Sequence, residues 1–458
     1  MRRLPMKAMT FKEAALAVGS SSNLEGSFDN VCTDTRKIIP GCLFIAIKGD
    51  NFDGHEFAAK AIELGAKAVI CEKDCALGEN QILVKSTRQA LLDLAGYYRS
   101  LFSIPVIGIT GSVGKTTTKE MTHAVMSAKY KTLKNEGNLN NEIGVPLTLF
   151  RLDESYEAAV IEMGMSDFGE ISRITAAVKP DVAVISNIGV SHIENLGSRE
   201  GILKAKFEIL ESMKADAPVI LNGDDDMLAT AYAGDHPVTY YGIENENCKF
   251  KAIDITSKES GTDLAVGFAG GSARVSLPYS GRHNVYNSLA AVAAGSFFGI
   301  KAETALEALK NYVPAGMRQR INKKCGITFI EDCYNASPDS QAAALSVLGE
   351  MKAERRIAVI GDMLELGAVS EKSHYDVGVK VAENGIDILC TYGERSLQAA
   401  KAATENGVRE VYTFDDKEKL SAHLASLIKE NDAVLFKASR GMKLEDVIYS
   451  VYSYLEKE

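Results

Sequence analysis

Short apolar runs, bounded by Gly, Pro, Asn or Asp, alternate along the chain with longer stretches whose apolar positions recur every three or four residues. The first pattern predicts buried strands and the second amphipathic helices. In the opening part, a helix is expected over Thr10–Val18, started by a Thr10/Glu13 capping box. Strands follow at Cys42–Ile47, Ala68–Cys71 and Ile82–Val84, with helices at Phe57–Gly65 and Thr87–Ser100 and a polar loop over Lys48–Gly54. The middle part predicts strands at Ile104–Ile109, Ala158–Met163, Asp181–Ser186 and Pro218–Leu221, and helices at Lys115–Lys129, Ser198–Met213 and Asn284–Phe298. Residues 236–280, rich in Thr, Val, Tyr and Gly, predict short antiparallel strands. The last part predicts strands at Ile327–Glu331, Ile357–Gly361, Ile386–Tyr392, Glu410–Thr413 and Ala433–Lys437 with helices between them. Strands joined by helices imply parallel sheets built from crossover units. The expected fold is therefore α/β in three domains: residues 1–83, residues 84–313 with 84–100 as a linker helix, and residues 314–458 as a Rossmann-like, doubly wound sheet.

At 458 residues the chain has the length of about three domains. A formal net charge of -10 argues against a general nucleic-acid binder, which needs a basic face. Phosphorylated ligands must then be met locally by Lys, Arg and backbone N–H groups. The 8 cysteines form no CxxC pair, Cys71 and Cys75 being the closest, and scattered thiols fit a reducing cytoplasm. The basic Met1–Pro5 start is followed by Lys12 and Glu13, which break any apolar signal region, and no run is long and apolar enough to span a membrane.

The most informative stretch is Val106-Ile-Gly-Ile-Thr-Gly-Ser-Val-Gly-Lys-Thr-Thr117. Strand, Gly-rich loop and helix in that order make a phosphate cradle. Ile109 stands where the common P-loop pattern has its first glycine, but Gly111, Gly114, Lys115 and Thr116 are all present. Thr110, Gly111, Ser112, Val113 and Gly114 would form the loop and Thr117 would follow it into the helix. Lys115 would reach the terminal phosphates, and the Thr116 hydroxyl would join a magnesium ion.

Other candidates carry less on their own. Glu162 and His192 each lie just past a strand, the edge where open α/β sheets bind ligands. Glu162 is either a magnesium ligand or a solvated strand end, and His192 either a ligand or a structural side chain. Lys204 and Lys206 are two residues apart on a helix, so at most one faces a site, and the plain reading of Lys206 is a basic residue on an amphipathic face. Asn138, Asn140 and Asn141 form either an ordinary loop or a set of amides for a polar, sugar-like substrate. Asn284 and Asn287 fall at i,i+3 spacing, suited to reading a purine edge, with Asn284 also a candidate helix cap. Arg318, Ser439, Arg440 and Lys443 are loop residues placed to meet phosphate or carboxylate. From the residues alone, the reading stops at a magnesium-nucleotide enzyme with a mobile third domain.

Taken together, Gly137-Asn-Leu-Asn-Asn-Glu-Ile-Gly-Val-Pro146, Asp332-Cys-Tyr-Asn-Ala-Ser-Pro338, Gly361-Asp-Met-Leu-Glu-Leu-Gly367 and Lys437-Ala-Ser-Arg-Gly-Met-Lys443 resemble the Mur ligases, the ATP-dependent amide-forming enzymes of peptidoglycan precursor synthesis. The resemblance spans all three units and is greatest to the branch that adds D-alanyl-D-alanine to UDP-N-acetylmuramoyl-tripeptide. It implies an N-terminal domain that binds the uridine nucleotide, a central P-loop ATPase domain and a C-terminal ligase domain, in a cytoplasmic monomer. It further implies that Thr116 and Glu162 hold one Mg2+, Glu162 and His192 a second, and that Lys206 carries a carbamate. Asn287 would contact adenine, and Arg318, Asp332, Tyr334 and Asn335 the ribose and phosphates. Thr33, Asp34, Thr35 and Arg36 would meet the uridine diphosphate, although the family more often has Ser at positions 33 and 35. Ser439 and Arg440 would lie near D-alanyl-D-alanine. The competing expectations are the diamino-acid-adding Mur enzyme, folylpolyglutamate synthase, and, in other classes, a P-loop kinase or switch or a non-catalytic nucleotide-binding scaffold.

Overall fold

The computed structural model describes residues 6–49, 52–258, 261–314 and 316–456. The basic Met1–Pro5 stretch, and Asp50 and Asn51 of the polar loop, lie outside the described residues. The first part opens with the helix Phe11–Ala17, capped by Thr10 and Glu13 in a reciprocal capping box. Its four-stranded parallel sheet has the order Val31–Cys32, Leu43–Ile45, Ala68–Cys71, Gln81–Leu83. The following helix, Thr87–Ser100, packs closely on the helix Glu170–Val178, where a Cβ on Gly96 would lie 3.1 Å from Ala177 Cα. It is therefore a buried layer shared by the first and middle parts. One continuous apolar core runs from Phe11 and Ile70 through Leu94 and Tyr98 to Ile161 and Ile185.

The middle part is a nine-stranded sheet whose order is Gly271–Leu277, Gly261–Phe268, Phe250–Lys258, Val238–Gly242, Val219–Asn222, Val182–Ile185, Val106–Thr110, Ala158–Glu162, Thr132–Lys134. The expectation of short antiparallel strands over 236–280 needs correction in two respects. Val238–Gly242 pairs parallel to Val219–Asn222, and the three strands after it are long and extend the same sheet. The phosphate-loop strand ends at Thr110, one residue later than the apolar run suggested, because Thr110 still pairs with Ile185. The helix Arg282–Ser296 starts two residues earlier than expected, with Gly281 as its cap. Its alanines let it lie close to the helix Lys115–Ser127; a Cβ on Gly295 would stand 2.5 Å from Val125 Cγ1.

The third part is a six-stranded sheet, ordered Arg320–Lys324, Ile327–Glu331, Ala433–Lys437, Arg356–Gly361, Ile388–Tyr392, Glu410–Phe414. Arg320–Lys324 is an antiparallel edge strand with almost no apolar pattern, and for that reason the periodicity missed it. Helices cover both faces and enclose two separate apolar cores, one around Phe329 and Phe436 and one around Leu345 and Ile360.

The helices Ser370–Glu383 and Leu397–Glu405 approach so closely that a Cβ on Gly378 would lie 2.2 Å from the Ala399 carbonyl oxygen. Gly378→Val is expected to destabilise this part by about 1–3 kcal/mol through overpacking. A chemical-denaturation midpoint no lower than that of the unmodified chain would count against this packing.

Candidate active site

The phosphate loop is shaped by two glycines in conformations that side chains rarely adopt. Gly111 has φ +146°, and a Cβ there would lie 1.9 Å from Ser186 Oγ. Gly114 has φ +81° and caps the helix Lys115–Ser127; a Cβ there would lie 2.7 Å from Asn287 Oδ1. The segment after the neighbouring strand braces the loop. Ser112 N–H and Val113 N–H donate to Asn187 Oδ1 at 3.1 and 2.8 Å, and Ser186 Oγ–H donates to the Val113 carbonyl at 2.6 Å. Lys115 Nζ turns back to donate to the Gly111 and Ser112 carbonyls at 2.8 and 3.1 Å. Burial lowers its pKa, with Glu162 opposing and Arg318 adding to that effect.

Glu162 is not a solvated strand end: it is 1% exposed. Its Oε1 accepts from Thr116 Oγ–H at 3.0 Å and Asn140 Nδ2–H at 2.8 Å. Its backbone is fixed by Asn135, which accepts from Glu162 N–H at 3.0 Å and donates to the Glu162 carbonyl at 2.9 Å. The second oxygen, Oε2, is buried without a hydrogen bond, and the nearest cation is Lys119 Nζ at 3.8 Å. Lys119 is fully buried, 2.9 Å from Glu120 Oε1, and donates to the Asn135 carbonyl at 2.7 Å. An orphaned carboxylate oxygen beside a threonine hydroxyl and a phosphate loop fits a hard divalent cation, which completes its shell with water and phosphate oxygens. Among the described residues no group of three or more His, Cys, Asp or Glu converges as an all-protein metal cage.

A cavity of about 580 Å³ runs from the loop to the third part, and it collects residues from widely separated stretches. Lining it are Ser112–Thr117, Asn138, Asn140, Asn141, Glu162, His192, Asn284, Asn287, Arg318, Asp332, Tyr334, Asn335 and Arg440. The asparagines divide their work. Asn140 holds Glu162, whereas Asn141 Oδ1 accepts from Ile143 and Gly144 N–H at 3.2 and 2.8 Å at the start of the helix Gly144–Leu149. Asn287 Oδ1 accepts from Thr118 Oγ–H at 3.1 Å, next to the loop. Asn284 is inside its helix and not the cap; its Nδ2 donates to Gln319 Oε1 at 2.7 Å. Arg318 stacks 3.7 Å over the Tyr334 ring, and Lys437 Nζ donates to Asp332 Oδ2 at 2.7 Å.

Other expected residues lie elsewhere. Thr110 is buried at the strand end and does not line the cavity. Nor do Thr33, Asp34, Thr35 and Arg36: Asp34 caps the turn Thr35–Lys37, and Arg36 beside it pulls its carboxyl down to about 2. Ser439 is buried, accepts from Leu364 N–H at 2.9 Å and donates to the Ala336 carbonyl at 3.4 Å, so its hydroxyl is already used by the fold. Lys206 is 1% exposed, against its plain reading as a surface lysine, while Lys204 is exposed with its Nζ 5.9 Å from the Phe168 ring. Burial, with Lys115 as a like-charged neighbour, holds the Lys206 amine well below the usual lysine range. Sequence reasoning missed Lys119, Asn135, Asn187, Gln319 and Lys437. Lys119 carried a usable signal, being one helical turn beyond Lys115, and Lys437 opened one of the motifs quoted for the resemblance.

This arrangement is that of a P-loop enzyme built where α/β domains meet, with its Gly-rich loop on one sheet and an arginine–tyrosine stack lining the same cavity from another. Within that class the chain belongs to the Mur ligase family. Residues 109–295 match the Mur ligase middle domain, residues 317–440 the Mur ligase glutamate ligase domain, and residues 27–99 the Mur ligase family catalytic domain. A UDP-N-acetylmuramoyl-tripeptide–D-alanyl-D-alanine ligase of Bacillus subtilis (strain 168) is 41% identical, over 91% of this chain and 92% of its own. A crystal structure of MurF from Acinetobacter baumannii, 32% identical, superposes with a TM-score of 0.93 over 98% of this chain and 100% of its own. MurF from Thermotoga maritima in complex with ADP, 29% identical, covers 93% of this chain and 98% of its own with a TM-score of 0.86.

Gly111→Ala is expected to weaken binding of a non-hydrolysable ATP analogue at least about tenfold, since the added methyl meets Ser186 and the left-handed side of φ is unfavourable for alanine. Calorimetric titration checks this, and unchanged affinity would remove Gly111 from the cradle.

Proposed function

We propose that the chain joins D-alanyl-D-alanine to UDP-N-acetylmuramoyl-tripeptide at the expense of ATP, in the cytoplasm and as a monomer. The observation that carries this reading is the cavity itself. It joins the phosphate loop and Glu162 to Arg318, Tyr334 and Arg440 of the third part, and one chain supplies all of it. Relatives bearing this activity in their names cover nearly the whole chain, which favours the dipeptide-adding reading over the diamino-acid and folate rivals. The free state of all of Cys32, Cys42, Cys71, Cys75, Cys248, Cys325, Cys333 and Cys390 suits a reducing compartment. No helix among the described residues is long and apolar enough to cross a membrane.

In the proposed reaction a terminal carboxylate oxygen of the tripeptide attacks the γ-phosphorus of ATP, and ADP leaves. The amine of D-alanyl-D-alanine then attacks the acyl phosphate carbon, phosphate departs with the bonding electrons, and the nitrogen loses a proton. Two anions must meet in the first step. Lys115, released from its own loop carbonyls, is placed to offset their repulsion, and Arg318 is placed to reach phosphate from the third part. Thr116 and Glu162 would hold one Mg2+, and Glu162 with His192 a second; magnesium would neutralise the phosphate charge. Asn140 and Lys119 keep the Glu162 carboxylate turned toward that position. Asn287 and Asn284 are suited to adenine, Asp332 and Asn335 to ribose, and Thr33–Arg36 to the uridine diphosphate carried by the first domain.

Lys206 is suited to carbamylation. A buried lysine near Lys115 is disfavoured as a cation, and its neutral amine can add CO2, release a proton and become an anion that supports a metal. Lys206→Ala is then expected to be nearly inactive and partly rescued by acetate or formate. Normal turnover without additives would remove the carbamate from the account.

Phosphate release in the presence of ATP, Mg2+ and UDP-N-acetylmuramoyl-tripeptide should depend on D-alanyl-D-alanine and not on single amino acids. Lys115→Ala should lower that rate by about 10²–10³ or more. Stimulation by a diamino acid in place of the dipeptide would overturn the substrate assignment.

A further inference from the structure

The segment Gly189–Glu194, which carries His192, is clamped by the third domain along its length. Gly189 has no room for a side chain, since a Cβ would lie 2.1 Å from Asp339 Oδ2. Val190 packs on the third-domain core that contains Leu345 and Ile360. Glu194 lies against Gly367, where a Cβ would be 3.2 Å from Glu194 Cβ. Between these contacts, His192 Nδ1 is buried without an aligned hydrogen bond, and Glu365 Oε2 approaches it to 2.7 Å. His192 and Glu365 have φ of +63° and +62°, left-handed conformations that are uncommon for residues with side chains.

We propose that Glu365 is a positioning residue that fixes the His192 imidazole through Nδ1, so that Nε2 is offered to the metal site only when the third domain is docked. The proposal rests on the reading of His192 as a metal ligand. A ligating histidine is ordinarily held by a carboxylate on its other ring nitrogen, and loss of such a partner weakens metal binding by about 10–100-fold. Glu365 is 65% exposed, so its contact with His192 adds little to stability. Its effect is on orientation. The arrangement links domain position to the cation: without the third domain in place, the imidazole loses the group that aims it.

The test is Mn2+ binding to the full chain with a non-hydrolysable ATP analogue, read by electron paramagnetic resonance, alongside kcat and the KM for Mg2+. Glu365→Ala should weaken Mn2+ binding about tenfold and raise the KM for Mg2+ more than it lowers kcat. Glu365→Gln, which keeps an oxygen acceptor for Nδ1–H, should recover much of the loss. In a His192→Ala background, Glu365→Ala should add nothing. If His192→Ala leaves Mn2+ binding unchanged, the ligand assignment fails. If His192→Ala weakens binding but Glu365→Ala does not, or if the two losses add, Glu365 does not act through the imidazole and the proposal is overturned.

Discussion

A carboxylate buried at the end of a sheet strand is the constraint around which the rest of this site is arranged. Removing Glu162 from water is costly unless its charge is matched and its lone pairs are used. The chain meets that demand from two places: the phosphate-loop helix supplies the Thr116 hydroxyl and the buried cation Lys119, and the asparagine loop supplies the Asn140 amide. One oxygen is still left open. The phosphate loop, the asparagine loop and the second turn of the helix are thereby tied to one atom group. A shift in any of them would disturb the others.

The apolar cores explain how the domains can work against each other. The first and middle domains share one continuous core, so their relative placement is fixed by packing. The third domain has its own cores and meets the others mainly through polar or close backbone contacts, among them Gln319 with Asn284, His192 with Glu365, and Asp339 against Gly189. Such contacts can be broken and remade at small cost. Gln319 stands at the joint with φ +50° and bonds to both sides, donating through its backbone to Asp332 at 3.1 Å.

The sequence by itself determined the elements and the phosphate loop. Buried parallel strands are continuous apolar runs, so Ala68–Cys71, Ile327–Glu331 and Ala433–Lys437 were legible to the residue. The strand, Gly-rich turn and helix around Gly111, Gly114, Lys115 and Thr116 were legible because the glycines and the apolar run lie close together in the sequence. Edge strands were not: Arg320–Lys324 is largely solvent-facing, so its pattern fades, and Thr132–Lys134 is too short to show one. Only the tertiary structure decided which of two nearby lysines is buried, that Ser439 serves the fold, that Asn141 opens a helix while Asn140 holds a carboxylate, and that Glu365 faces His192. All but the local Asn141 contact depend on residues tens or hundreds of positions apart. Local spacing sets which way a side chain leaves its own strand or helix, but not what the rest of the chain brings to meet it.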